Sequence, residues 1–322
     1  GHLAVHQHGR ERCTGQRRQR LDPVGRAIDW ALAVPAAPTA SSNVARSKER
    51  TGATRLATLV GLPVRMRPRR TCHAVPGSSE RFLAKAPTLD ADEVFLDLED
   101  AVAQSEKENA RALVIQALHE HDFGAKTVVV RVNGTDTPHY YRDLIDVVEQ
   151  AGDRLDAIML PKVRTPGDVE MTAKLLTQIE LAKQLEPGRI GIEAQIENAL
   201  GLTNVNAIAQ ASPRVETIIF GPADFMASIN MKSLVVGEQP PGYDVGDAHH
   251  HVLMRILVAA RTNGILAIDG PYLKIRDVDG NAWIVSARTL TGTRALIAST
   301  HSWIDAEASG QAIAAPTSWR VR

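Results

Sequence analysis

Seven short, mostly apolar runs recur along the middle of the chain, at 72–75, 94–98, 127–132, 157–160, 190–196, 217–220 and 265–268. No other feature limits the accessible folds as much. The last six are rich in Val, Ile, Leu or Phe, and the first is interrupted by His73. Polar residues, Gly or Pro bound each of them, as expected for strands buried on both faces of a parallel sheet. Between them lie segments with helical spacing, at 80–86, 105–119, 141–150, 166–184, 202–211 and 250–262. Alternation of this kind at roughly 30-residue intervals predicts a parallel sheet covered by helices, either closed as a barrel or open and doubly wound. No GxGxxG follows the first run, which counts against the dinucleotide-binding form.

The polar residues choose between these forms. Asp97, Glu99 and Asp100, then Arg131 and Asn133, then Lys162, Glu197, Asp224 and Asp269 stand at or just past the C-terminal ends of successive runs. Barrels keep their chemistry at that end. The expectation is an α/β chain with a (β/α)8 TIM barrel whose eighth strand is incomplete or irregular, because 283–285 is a poor closing strand.

The 322 residues suit one barrel of roughly 250 residues with extensions, or two modest domains. Equal totals of 37 basic and 37 acidic residues give no reason to expect nucleic acid or an anionic membrane as partner. The balance conceals a division: 1–65 holds eleven Arg or Lys against four acids, and 66–280 holds twenty-two against thirty-one. All four tryptophans lie outside 66–280. Boundaries are therefore expected near Met66 and Gly280. Residues 1–65 lack a sustained period and have the composition of a disordered or non-native extension. An organelle leader and a disordered tail compete with upstream sequence read as protein. The last is favoured, because Met66 directly precedes the first patterned segment. Cys13 and Cys72, with no CxxC or Cys/His zinc spacing, argue against a disulfide framework and structural zinc and make a cytoplasmic setting the default. No apolar run approaches the roughly 20 residues of a membrane span.

Glu197 in IENALG and Asp224 in FGPADF are carboxylates at the ends of neighbouring strands. Hard oxygen donors of this kind suit Mg2+, with Mn2+ an allowed substitute, in a site open to water and substrate. Either acid alone could instead cap the following helix. Arg131, ending VVVRVNG, could bind a carboxylate or offset charge on an enolate oxygen, or it could form a structural ion pair with the acids of DLED. Asp97, Glu99 and Asp100 could order metal-bound waters, or Asp97 or Asp100 could cap a helix. The loop VPGSSER could receive a phosphate at a helix N-terminus or be an ordinary turn. His249, His250 and His251, adjacent on one helix, face different directions and are left out of the site.

In order, VPGSSERFLAKA, FLDLEDAV, VVRVNGTDTP, IMLPKV, IENALGL, FGPADFMASINM and AIDGPYLKIRD resemble the citrate lyase β-subunit-like (aldolase/citrate lyase) family, most of all its malyl-CoA/β-methylmalyl-CoA lyases. The resemblance covers 66–280. It implies a (β/α)8 barrel, Mg2+, CoA thioester substrates and a homo-oligomer, trimer or hexamer. By motif, Glu197 and Asp224 match the metal ligands and Arg131 the substrate-binding arginine. Ser79, Arg81 and Lys85 match the loop that contacts CoA and substrate, and Ala223, Ile268 and Asp269 match later binding positions. The implied reaction is a reversible retro-Claisen cleavage of a malyl-CoA-like thioester to glyoxylate and acetyl- or propionyl-CoA. Citramalyl-CoA or citryl substrates and thioester hydrolysis are close alternatives. The family continues past RDxDG into a helix, an eighth strand ending in HP and a lid, whereas 281–322 lacks lysine and holds only Asp305 and Glu307 as acids. Relatives can draw an acid from a neighbouring subunit's lid. A truncated, non-catalytic CoA-binding subunit is therefore the competing reading, with 281–322 as an atypical tail.

Overall fold

The computed structural model describes residues 67–236, 239–272 and 296–298, all within the second of two compact units, Arg50–Arg322. The expected extension over 1–65 lies outside the described residues, as does the tail over 281–322 apart from 296–298.

Each apolar run forms a strand: β1 (Thr71–Pro76), β2 (Glu93–Asp97), β3 (Thr127–Arg131), β4 (Ala157–Leu160), β5 (Gly191–Ile196), β6 (Val215–Phe220) and β7 (Leu266–Ile268). Two short strands complete the set, β8 (Pro271–Tyr272) and β9 (Leu296–Ala298). All described pairings are parallel, in the order β7-β6-β5-β4-β3-β2-β1-β9-β8. Only Asp269 and Gly270 separate β7 from β8 along the chain, although the two strands stand at opposite ends of this order. The sheet therefore curls until residues 266–272 pair with β6 on one side and β9 on the other. In the tail, where the sequence pattern is weakest, β9 pairs with both β1 and β8. Three residues are too short a run to carry a readable period.

The helices are α1 (Glu80–Lys85), α2 (Lys107–Glu120), α3 (Tyr140–Ala151), α4 (Pro166–Ala182), α5 (Ala199–Thr203), α6 (Val205–Gln210), α7 (Pro222–Ser228) and α8 (His250–Thr262). Local chemistry starts several of them. Pro166 opens α4 behind a capping box of Thr165 and Asp168, and the Asn198 side chain accepts from Gly201 N to cap α5. The helix expected over 202–211 is instead two short ones, interrupted at Asn204, whose side-chain amide donates to the Arg164 carbonyl at 2.8 Å. The short α7 after β6 was not legible as a periodic segment.

Side-chain alternation divides the sheet into two faces. Val94, Leu96, Val128, Val130, Ile158, Leu160, Ile192, Ala194 and Ile218 join the helices in the large outer core. Cys72, Phe95, Val129, Ala157, Met159, Ile219 and Ile268 form a small inner cluster. Below that cluster, at the amino ends of the strands, sits a sealed ionic group. Arg69 Nε lies 2.8 Å from Glu93 and 2.5 Å from Glu193, and its Nη2 lies 2.7 Å from Glu216. Arg67 reaches the same Glu216. Burial, with the neighbouring acid, pushes Glu93 and Glu193 above the ordinary carboxyl range, against the pull of Arg69.

Removing one partner of a buried ionic group strands the others. Arg69→Met is expected to cost about 3–5 kcal/mol in urea unfolding near pH 7. Because burial raises the Glu93 and Glu193 pKa values in the folded state, the variant should recover stability as pH falls from 7 toward the ordinary carboxyl range. A variant as stable as the parent at pH 7 would show that Arg69 does not hold this end together.

Candidate active site at the carboxyl ends of the strands

Above the inner cluster, polar residues end or directly follow several strands. Asp97 ends β2, Arg131 ends β3, and Glu197 follows β5. The register that pairs Asp97 with Arg131 brings them together. Asp97 accepts from Arg131 Nε at 2.7 Å and Nη2 at 2.6 Å, and from the backbone N–H of Glu99 and Ala101. Burial works against an ionised Asp97, but Arg131 and these N–H groups outweigh it and hold its pKa below the usual range. Asp97 thus orients the arginine. The ion pair with DLED weighed for Arg131 is real, and it extends to Glu99 at 3.2 Å and Asp100 at 3.8 Å. Burial opposes the guanidinium charge too, and the three acids more than restore it.

The loop after β2 is pinned from behind. Lys107, buried at the start of α2, donates to the carbonyls of Leu98 at 2.8 Å and Glu99 at 2.6 Å. Asn133 donates to the Leu98 carbonyl at 3.0 Å. Its backbone N–H bonds to Asp143, which Arg111 holds in turn. These residues fix where Glu99 and Asp100 emerge.

Glu197 is buried and Asp224, in the first turn of α7, is partly exposed. Lys162, just past β4, joins them. Its backbone N–H donates to Glu197 Oε1 at 2.6 Å, and its Nζ lies 3.2 Å from Asp224, 2.7 Å from Glu99 and 3.4 Å from Asp100. Burial, aided by Glu99 and Asp224 and opposed by Arg131, pushes Glu197 up to about 8. Glycine is required at position 221, because an added Cβ would sit 2.6 Å from the Glu197 Cβ and collide with its Oε2. The motif FGPADF therefore does two things, admitting the Glu197 carboxyl against Gly221 and presenting Asp224 three residues later.

The candidate residues fall into groups. Glu99, Asp100, Arg131, Glu197 and Asp224 converge, with Lys162 among them. Ala223 is exposed on the first turn of α7. Ile268 ends β7 inside the inner cluster, and Asp269 beyond it is buried and accepts from Gly270 N at 2.7 Å. Gly270 packs on Pro222, where an added Cβ would lie 2.6 Å from Cδ, so the β7–β8 turn lies against the Asp224 loop. Ser79, Arg81 and Lys85 stand on the β1–α1 connection and α1, where Ser79 serves as the N-cap. That loop is tied to the end of β2 by Gly77 N donating to the Asp97 carbonyl at 2.8 Å. Sequence reasoning gave Lys162 and Lys107 no role. The strand-end position of Lys162 was the available signal, but a lysine there can equally point to solvent.

Five carboxylates, Asp97, Glu99, Asp100, Glu197 and Asp224, gather around Arg131 and Lys162, with the Lys107 ammonium behind the first three. That excess of hard oxygen donors can accept a divalent cation. Among the described residues no three His, Cys, Asp or Glu side chains form a complete metal-binding group. A cation held by two carboxylates such as Glu197 and Asp224 keeps positions for water or substrate. Among the described residues, no helix is long and apolar enough to cross a membrane.

The chain is similar to several known proteins. An L-malyl-CoA/β-methylmalyl-CoA lyase of Cereibacter sphaeroides is 41% identical over 227 residues, covering 68% of this chain and 71% of its own. The citrate lyase subunit beta of Leuconostoc mesenteroides subsp. cremoris is 37% identical, covering 66% of each chain. The crystal structure of protein CitE from Mycobacterium tuberculosis in complex with magnesium and acetoacetate has a TM-score of 0.57 at 28% identity, covering 76% of this chain and 90% of that one. Residues 70–288 match a family profile over most of the chain, and the protein belongs to the HpcH/HpaI aldolase/citrate lyase family.

Proposed function

We propose that the chain is a carbon–carbon lyase that reversibly cleaves a malyl-CoA-like thioester to glyoxylate and acetyl- or propionyl-CoA, with Glu197 and Asp224 binding Mg2+. The observation that carries this reading is the convergence of Arg131, Glu197 and Asp224 around Lys162 at the carboxyl end of one curled parallel sheet. The named activities of the relatives, and the magnesium and coenzyme A in complexes of the CitE structures, support it. With β7 and β8 taken as one interrupted strand and β9 as the eighth, the fold reads as a (β/α)8 barrel spanning 66–280 and closed from the tail. A closing strand from the tail favours an active enzyme over a truncated CoA-binding subunit. A homo-oligomer, trimer or hexamer, belongs to the same reading.

Cleavage breaks the bond between the hydroxyl-bearing carbon and the carbon next to the thioester. The hydroxyl proton leaves to a base, and the bonding pair stays on the CoA fragment as an enolate that is then protonated. Mg2+, when bound, supplies Lewis-acid polarisation of oxygens on the oxoacid portion. Arg131, held rigid by Asp97, offers a fixed positive charge that offsets the developing enolate and costs no reorganisation when the bond breaks. Glu99 and Asp100 keep that guanidinium in the mouth. Ser79, Arg81 and Lys85 contact the CoA moiety, and Ala223, Ile268 and Asp269 line the approach beside Asp224. Citramalyl-CoA cleavage would start from a different thioester and release pyruvate, and thioester hydrolysis would consume water and release malate and free CoA, outcomes that chromatography resolves.

Purified protein with Mg2+ and malyl-CoA should release glyoxylate and acetyl-CoA. Glu197→Gln and Asp224→Asn should each weaken Mg2+ binding by roughly a hundredfold or more in calorimetry and abolish turnover, and a fully active Glu197→Gln enzyme would refute the assignment. Arg131→Met should lower kcat by about 10²–10³-fold with Mg2+ affinity little changed.

The Glu197 carboxyl carries a pH dependence. With its pKa near 8 in the metal-free protein, it is mostly protonated at neutral pH. Mg2+ must displace that proton, so the apparent affinity should climb with pH, by up to about tenfold per unit below pH 8, and level off above it. Calorimetry across pH 6–9, in buffers of different ionisation enthalpy, should count one proton released at neutral pH. An affinity independent of pH would show that Glu197 is already ionised.

A further inference from the structure

Lys162 combines two features at one position. Its backbone φ is +54°, a left-handed conformation that residues with side chains rarely adopt and that persists where the surroundings hold it. In that conformation the N–H bonds to Glu197 at 2.6 Å while the side chain reaches back into the mouth. An ammonium group has three N–H donors on one compact charge. Here three carboxylates surround it, Glu99 at 2.7 Å, Asp224 at 3.2 Å and Asp100 at 3.4 Å. The Asp224 oxygen that faces the ammonium is a donor the proposed metal would need.

We propose that Lys162 is a built-in competitor for the cation site, neutralising Glu99, Asp100 and Asp224 while no divalent ion is bound and leaving Asp224 when one binds. The inference rests on the reading of Glu197 and Asp224 as the metal-binding pair. Its physical content is an exchange. A metal ion ligated by Asp224 and an ammonium in contact with the same carboxylate repel each other at short range, so one displaces the other. Lys162 therefore keeps the acids together in the empty site and weakens metal binding to the degree that it does so. The ammonium remains tied to Glu99 and Asp100 after release, where it is positioned to meet an anionic substrate. The backbone N–H continues to orient Glu197 in either state.

The test is calorimetric titration of Mg2+ alone into metal-free wild type, Lys162→Met and Lys162→Asn. Methionine keeps the length of the side chain without its charge, and asparagine enters the left-handed region more readily than most residues. If one variant fails to fold, the other is read. Both neutral variants should bind Mg2+ about tenfold to a hundredfold more tightly than wild type, within the range of a short-range charge interaction at a protein surface. Without metal, both should melt at lower temperature than wild type and regain the difference on Mg2+ saturation. A lysine serving only as a structural support would give the opposite sign, because its loss would loosen the site and weaken binding. Equal or weaker Mg2+ affinity in the neutral variants, with wild type binding normally, overturns the proposal and leaves the function intact. No binding by wild type or variants overturns both.

Discussion

A parallel sheet with side chains packed on both faces leaves charged groups few places to lie other than the two ends of its strands. Among the described residues, the two charged clusters on the inner side obey that constraint. Phe95, Val129, Met159, Ile219 and Ile268 fill the middle. Glu93, Glu193 and Glu216 collect with Arg69 beneath them, and Asp97, Glu99, Glu197 and Asp224 collect with Arg131 and Lys162 above.

The two clusters have similar composition and opposite access to solvent. At the amino end the Arg69, Glu93 and Glu193 side chains are wholly buried, and charge there can only be structural. At the carboxyl end Asp100 is 57% exposed, Asp224 42% and Lys162 33%, while Asp97 and Glu99 stay buried behind them. The gradient from buried to exposed acids leaves this cluster, unlike the lower one, open to solvent. Burial at the bottom of that gradient is also what pushes Glu197 toward its protonated form. Rigidity comes from behind: Lys107 and Asn133 hold the Leu98–Glu99 backbone, and Gly221 lets the loop before α7 lie directly on Glu197.

Much of this was legible from residues alone, and the exceptions share a cause. The seven apolar runs matched strands because both faces are buried, which leaves the composition itself as the signal. Asp97, Arg131, Glu197 and Asp224 were found because each stands at or just past the carboxyl end of such a run. The closing strand 296–298 escaped because it is short and sits in a stretch with no period. For Asp97 several tasks stayed open, among them the ion pair with Arg131, because nothing in FLDLED says that the pairing register sets it opposite that residue. Lys107 looked like one more polar residue on a helix, whereas it is buried against two carbonyls nine and eight residues earlier in the chain.

Order along the chain thus determined which residues end strands, because apolar periodicity and the positions of Gly, Pro and acids are local properties. It also determined the family, through motifs whose spacing survives in one dimension. The tertiary structure decided which strand ends meet. Sheet curvature brings the two ends of the strand order into residues 266–272, register pairs Asp97 with Arg131, and a left-handed turn at Lys162 inserts an ammonium among three carboxylates. Those outcomes depend on distances between residues far apart in sequence, and electrostatic energies at a few ångströms are set by such distances rather than by composition.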